Sequence, residues 1–100
     1  MIKVNITKKD NKIEKITISG HANYDRYGKD IVCAAASSIV ITSVNAILKI
    51  NEKAITVSND DDLKIVLNTH DSVTDAIIDN MIDLLIELQE QYNKNVKINI

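Results

Sequence analysis

From Ile31 to Leu48 the chain carries no charged side chain and neither proline nor glycine. A run of that length without a helix breaker is too long for a strand, so it must form one long helix. It is also long enough to cross a bilayer. Ser37, Ser38, Thr42, Ser43 and Asn45 dilute its hydropathy, however, and the reading adopted is a central helix buried on most sides. The alanines and serines of its first half allow a strand or a second subunit to approach closely. With 100 residues and 45% hydrophobic residues, the rest of the chain suffices for a single domain, residues 1–100, that buries about two-thirds of its unfolded surface. There is no Phe or Trp, and only Tyr24, Tyr27 and Tyr92 are aromatic, so the core must be aliphatic.

The segments flanking the helix read mostly as strands. Ile2, Val4 and Ile6 alternate with Lys3 and Asn5, the pattern of a half-buried strand. Asp10-Asn11 is a turn, and Ile13, Ile16 and Ile18 form a returning strand that ends at Ser19-Gly20. After the helix, which reaches about Lys49, Asn51-Glu52 turns the chain into a short strand, Ala54 to Val57. A turn at Ser58-Asn59-Asp60-Asp61 leads to a fourth strand, Leu63 to Leu67. Ser72, with Asp75 three residues on, predicts the cap of a second helix. Its core face is expected to carry Ile77, Met81, Leu84, Leu85 and Leu88. Val96, Ile98 and Ile100 predict a last strand. The order ββαββαβ predicts an α+β fold: an antiparallel or mixed sheet with two helices packed on it.

Charge narrows the function classes. The net charge of −2 argues against a nucleic-acid binder, which needs a basic face. One cysteine excludes an intrachain disulfide, and the first residues lack the apolar core of a signal peptide, so the expected compartment is the cytoplasm. Asp75, Asp79, Asp83 and Glu87 recur at every fourth residue of the second helix. They form either a solvated face or a docking surface for a basic partner.

The chemistry concentrates in one stretch. Gly20-His21-Ala22 is followed by a polar loop and then by Gly28-Lys29-Asp30-Ile31-Val32-Cys33-Ala34-Ala35-Ala36-Ser37. It contains both glycines and the single cysteine. Asp30 reads as the helix N-cap, which puts Cys33 in the first turn. A thiolate there feels the positive end of the helix dipole, and an imidazole within reach can take the thiol proton. First-turn N–H groups could later receive an oxyanion. Spacing permits His21 to reach Cys33 without requiring it. The residues alone leave open a buried structural cysteine beside a surface histidine.

The pattern Gly-His-Ala, a short polar loop, then Gly-x-Asp-Ile-Val-Cys-Ala-Ala-x-Ser resembles the ribosomal-processing cysteine protease family, Prp, and the resemblance extends over essentially the whole chain. Members of that family trim an N-terminal extension from a bacterial large-subunit ribosomal protein. The resemblance implies a cysteine endopeptidase with Cys33 as nucleophile and His21 as base, no cofactor, and a homodimer. Gly20, Asp30 and Ser37 match further motif positions, while Ala36 stands where the family often has a larger aliphatic residue. The family's substrate extension ends in apolar and aromatic residues before a lysine-rich segment, so the groove beside the loop is expected to be apolar.

Other readings remain beside this one. A ribosome-associated adaptor with a structural cysteine, or a small-molecule thiol hydrolase on the same pair, would use the same residues. His21, Asp25, Asp30 and Cys33 make a poor metal set, lacking the paired spacing of zinc sites. Gly20 and Gly28 are too far apart for a phosphate loop. His70 is expected at the surface. Tyr24 and Tyr27 either pack on the body of the protein or close over substrate as a lid. Asp30 is either a cap, the favoured role, or the third member of a triad with His21. The loop from Ala22 to Lys29 is expected to be mobile without substrate.

Overall fold

The computed structural model describes residues 1–100. Strands β1 (Ile2–Lys9) and β2 (Lys12–Ser19) form a hairpin, followed by helix α1 (Ile31–Ile50). Strands β3 (Ile55–Asn59) and β4 (Leu63–Leu67) form a second hairpin, and helix α2 (Ser72–Gln91) leads to β5 (Val96–Asn99). The sheet order is β3-β4-β2-β1-β5. It is mixed: β5 runs parallel to β1, and every other pair is antiparallel.

Local chemistry explains the hairpin. Asp10 and Asn11 take φ of 53° and 63°, the left-handed pair that a two-residue turn needs to match strand twist. Asp and Asn tolerate that region better than other non-glycine residues. The register shifts between Thr7 and Lys8, where Glu14 of β2 is the extra, unpaired residue of a bulge. It keeps Ile6 opposite Ile16 on the inner face.

Both helices cover that face. Val4, Ile16, Ile65 and Val96 are fully buried on it, against Val32 and Ile47 of α1 and Ile78, Met81 and Leu85 of α2. The core contains no aromatic residue, as the composition requires. The two buried polar side chains are locally satisfied. Ser43 Oγ donates to Ile39 O at 2.7 Å, and Thr74 Oγ1 donates to Asp71 Oδ2 at 3.0 Å. The opposite sheet face, with Lys3, Asn5, Lys15 and Lys64, is open to water.

Three expectations are corrected. Helix α1 buries only one stripe, Val32, Ala36, Val40, Ser43, Val44 and Ile47, and Ile31, Ile41 and Ile50 are exposed. In a two-layer fold nothing lies outside the helix layer, so an apolar helix is left half open. The cap of α2 is Asp71 rather than Ser72. Its carboxylate accepts the Thr74 N–H at 2.8 Å as well as the Thr74 hydroxyl, a two-point cap that Ser72 could not provide. Leu84 is 38% exposed, and the core positions on that side are Ile78 and Ile82. Packing against both the sheet and α1 rotates the buried stripe away from Leu84. Leu85→Ala is therefore expected to cost about 2–5 kcal/mol in urea unfolding, and Leu84→Ala under about 1 kcal/mol. Equal losses would restore Leu84 to the core.

Candidate active site

His21 stands just beyond the end of β2, on backbone fixed from both sides. Before it, Gly20 has φ of +80°, and a Cβ there would collide with the carbonyl oxygen of Met1. Only glycine satisfies both constraints. After it, the Ala22 side chain is 1% exposed, buried in the main core cluster. The Ala22 carbonyl accepts from Asn95 Nδ2 at 2.9 Å. The imidazole thus projects into solvent from a strand end pinned to the body of the fold.

Cys33 is positioned by the start of α1. It is the third residue of the helix and half-buried, a free thiol packed against the edge of the core. Asp30 is the N-cap: its Oδ1 accepts the Cys33 N–H at 2.9 Å. Its other oxygen, Oδ2, accepts the N–H of Tyr24 at 3.0 Å and of Asp25 at 3.4 Å. Desolvation raises the Asp30 carboxyl pKa, but donors at Cys33, Tyr24, Asp25 and Val32 outweigh it and hold the group below its ordinary 3.8. Both carboxylate oxygens are spent on backbone N–H groups. In this geometry Asp30 is a cap and a loop clamp.

This arrangement also changes the expected oxyanion donors. The Cys33 N–H is occupied by Asp30, so it is not available in the first turn. Ser37 lies one helical turn beyond Cys33, and helical side chains lean back toward the N-terminus, which brings its hydroxyl toward the thiol.

His21 and Cys33 share the wall of one open cavity of about 610 Å³. Asn23, Asp25, Tyr27, Lys29, Asp30, Ile31, Ala34 and Ser37 also line it. Polar residues are the majority of that lining, yet the surface that faces the cavity is mostly apolar, as expected of a groove beside the loop. Gly28 lines it too; its φ of +84° suits glycine, although a Cβ there would meet open space. Gly20 lies outside the lining and acts through the backbone. No cluster of His, Cys, Asp or Glu forms a metal site.

Of the two loop tyrosines, only Tyr24 packs on another ring. The ring of Tyr24 packs edge-on against Tyr92, with centroids 5.4 Å apart. Tyr27 is fully exposed at the rim of the cavity. The loop is therefore not uniformly free: Ala22, Tyr24 and Asp25 are tied down, and the tip around Tyr27 and Gly28 is the untethered part. His70 is at the surface, paired with Asp75 at 3.4 Å. Asp79 and Asp83 line shallow cavities with Lys8 and Ile13, separate from the one that holds Cys33. The sequence reading missed Asn95 and Tyr92. Both lie in or beside the turn after α2, far from the motif in sequence, and no local pattern marks them.

Asp30→Asn and Asp30→Ala distinguish the two jobs of this carboxylate. Asparagine can still cap the Cys33 N–H but cannot accept at both oxygens. Asp30→Asn is expected to keep the melting temperature near wild type at neutral pH while hydrogen exchange at Tyr24 and Asp25 quickens. Asp30→Ala should lower the melting temperature as well. Because the folded-state pKa is depressed, the carboxylate's contribution is complete above the ordinary value and is lost as pH falls through the folded one. The wild-type advantage over Asp30→Ala should therefore shrink in acid, as thermal melts would record. An advantage independent of pH would mean the charge is not what these contacts use.

The chain is similar to known proteins over nearly its whole length. The family model described as "Cysteine protease Prp" matches residues 1–97. The ribosomal processing cysteine protease Prp of Staphylococcus aureus (strain Mu50 / ATCC 700699) is 34% identical over 105 residues, covering 99% of this chain and 98% of that protein. The crystal structure of the essential S. aureus Prp with a covalently linked product peptide superposes with a TM-score of 0.91 at 34% identity, covering 99% of this chain and 98% of that one. The S. aureus enzyme with a substrate peptide gives a TM-score of 0.85 at 32% identity, over the same shares.

Proposed function

The chain belongs to the cysteine protease Prp family, and on that premise we propose that it is a cysteine endopeptidase that removes the N-terminal extension of a bacterial large-subunit ribosomal protein. The observation that carries this reading is the placement of His21 and Cys33 on one cavity, with the motif residues Gly28, Asp30 and Ser37 around them. His21 takes the proton of Cys33, and the thiolate attacks the carbonyl of the scissile bond. Charge developing on the carbonyl oxygen is received by the Ser37 hydroxyl and the positive end of α1, since the Cys33 N–H is already committed. His21 then protonates the leaving amine, and water resolves the thioester. Every step is supplied by the chain's own side chains, so the reading calls for no cofactor.

Tyr27, Ile31 and Ala34 offer apolar contact for the residues before the cleaved bond. Asp25 lies on the same cavity and is suited to a basic residue after it. Tyr27 and Gly28, at the untethered tip, are the part able to fold over bound peptide. The enzyme works in the cytoplasm, where a free thiol persists. It works as a homodimer, a reading supported by the apolar outer face of α1 with Ile31 and Ile41 exposed.

Incubating the protein with a peptide spanning the extension tests this function. Cleavage by the wild type and none by Cys33→Ala, with unchanged folding and retained peptide binding, is the expected result. Binding without cleavage by the wild type would favour an adaptor. Ser37→Ala is expected to lower kcat about 10–100-fold with little change in KM, the signature of a contact made mainly in the transition state. An unaltered kcat would remove Ser37 from the oxyanion site.

A further inference from the structure

In a protease triad a carboxylate side chain normally holds the base in place. Here the carboxylate near the pair, Asp30, has both oxygens engaged by N–H groups of Cys33, Tyr24 and Asp25. The hydrogen bonds identify a second, separate contact that holds the His21 segment. Asn95 sits in the turn between α2 and β5, and its side-chain amide donates to the Ala22 carbonyl, one residue beyond the histidine. Its own backbone is committed as well. The Asn95 N–H donates to Tyr92 O at 2.9 Å, and the Asn95 carbonyl accepts from Ile2 N at 2.8 Å. Met1, the neighbour of Ile2, is the residue whose carbonyl leaves no room for a Cβ at Gly20. One turn thus grips the His21 segment at Ala22 directly and backs it at Gly20 through the start of β1.

We propose that Asn95 is a positioning residue for catalysis, holding the backbone of His21 at the distance and orientation from Cys33 that proton transfer needs. The role needs a proton donor, because the partner is a carbonyl oxygen, and the amide NH₂ of Asn95 supplies one. The side chain acts on the histidine backbone and stays clear of the reacting atoms. Tyr92, three residues earlier, reinforces it by packing on Tyr24. The proposal rests on the protease reading of His21 and Cys33.

Asn95→Asp and Asn95→Ala test it. Aspartate matches the shape but turns a donor into an acceptor facing the Ala22 carbonyl. Two readouts decide the matter: kcat and KM on the extension peptide, and the pH dependence of Cys33 alkylation by iodoacetamide. Both variants are expected to lose about tenfold or more in kcat, with KM changed less than about twofold, because a small misplacement of a catalytic group is costly. The alkylation profile should change as well, because a displaced His21 no longer takes the thiol proton in the same way. If the variants only melt earlier, with kcat per folded molecule and the alkylation profile both unchanged, Asn95 is structural and the proposal falls. If they prove too unstable to assay, Asn95→Gln keeps the donor on an arm one methylene longer. It should then retain more kcat than Asn95→Ser, whose hydroxyl is too short to reach; the reverse order would also overturn the proposal. A wild type that fails to cleave would instead overturn the protease reading, so the two failures are distinguishable.

Discussion

The carboxylate of Asp30 is the contact on which the site depends. One oxygen closes the N-terminus of α1 at Cys33, and the other gathers the N–H groups of Tyr24 and Asp25. A cap that served only the helix would leave the preceding loop to find its own place. A loop held only by its own contacts would have nothing to set its distance from the thiol. By joining the two, Asp30 ties the segment that carries His21 to the helix that carries Cys33.

The fold supplies the other half of the positioning. Helix α2 and strand β5 lie last in the chain, yet β5 pairs in parallel with β1, so the turn between them falls beside the start of the chain. Placing a parallel strand at the sheet edge requires a long crossover, and α2 is that crossover. Its consequence is local: Tyr92 and Asn95 emerge where the chain leaves β2. The mixed topology therefore brings residues from opposite ends of the sequence onto the two flanks of His21.

These two kinds of contact explain what the sequence could reveal. Alternation at Ile2, Val4 and Ile6, the Asp10-Asn11 turn and the long uncharged run identified β1, the hairpin and α1, because each signal lies within a few residues of the structure it dictates. The Asp30 cap was legible for the same reason, and its second oxygen was not, since a loop folding back leaves no periodic trace. The cap of α2 was misplaced by one residue because Asp71 and Ser72 both have suitable side chains, and only the Thr74 hydroxyl decides between them. Leu84 was assigned to the core because helical spacing defines a stripe but not which side of it meets the sheet. His21 and Cys33 stood out through their chemistry and the motif around them. Asn95 did not, because an asparagine in a turn is ordinary until the fold shows what its amide touches.

The open side of α1 follows from the same economy. A helix whose N-terminus must present a thiol at the surface cannot be buried all round, and a chain of this size has no third layer to place over it. Ile31 and Ala34, on the exposed first turns, line the cavity beside Cys33, while Ile41 lies on the same side of the helix farther along. On the proposed reading, the peptide groove and a subunit contact would draw on adjoining parts of this one side, and covering its far part would leave the cavity around Cys33 open.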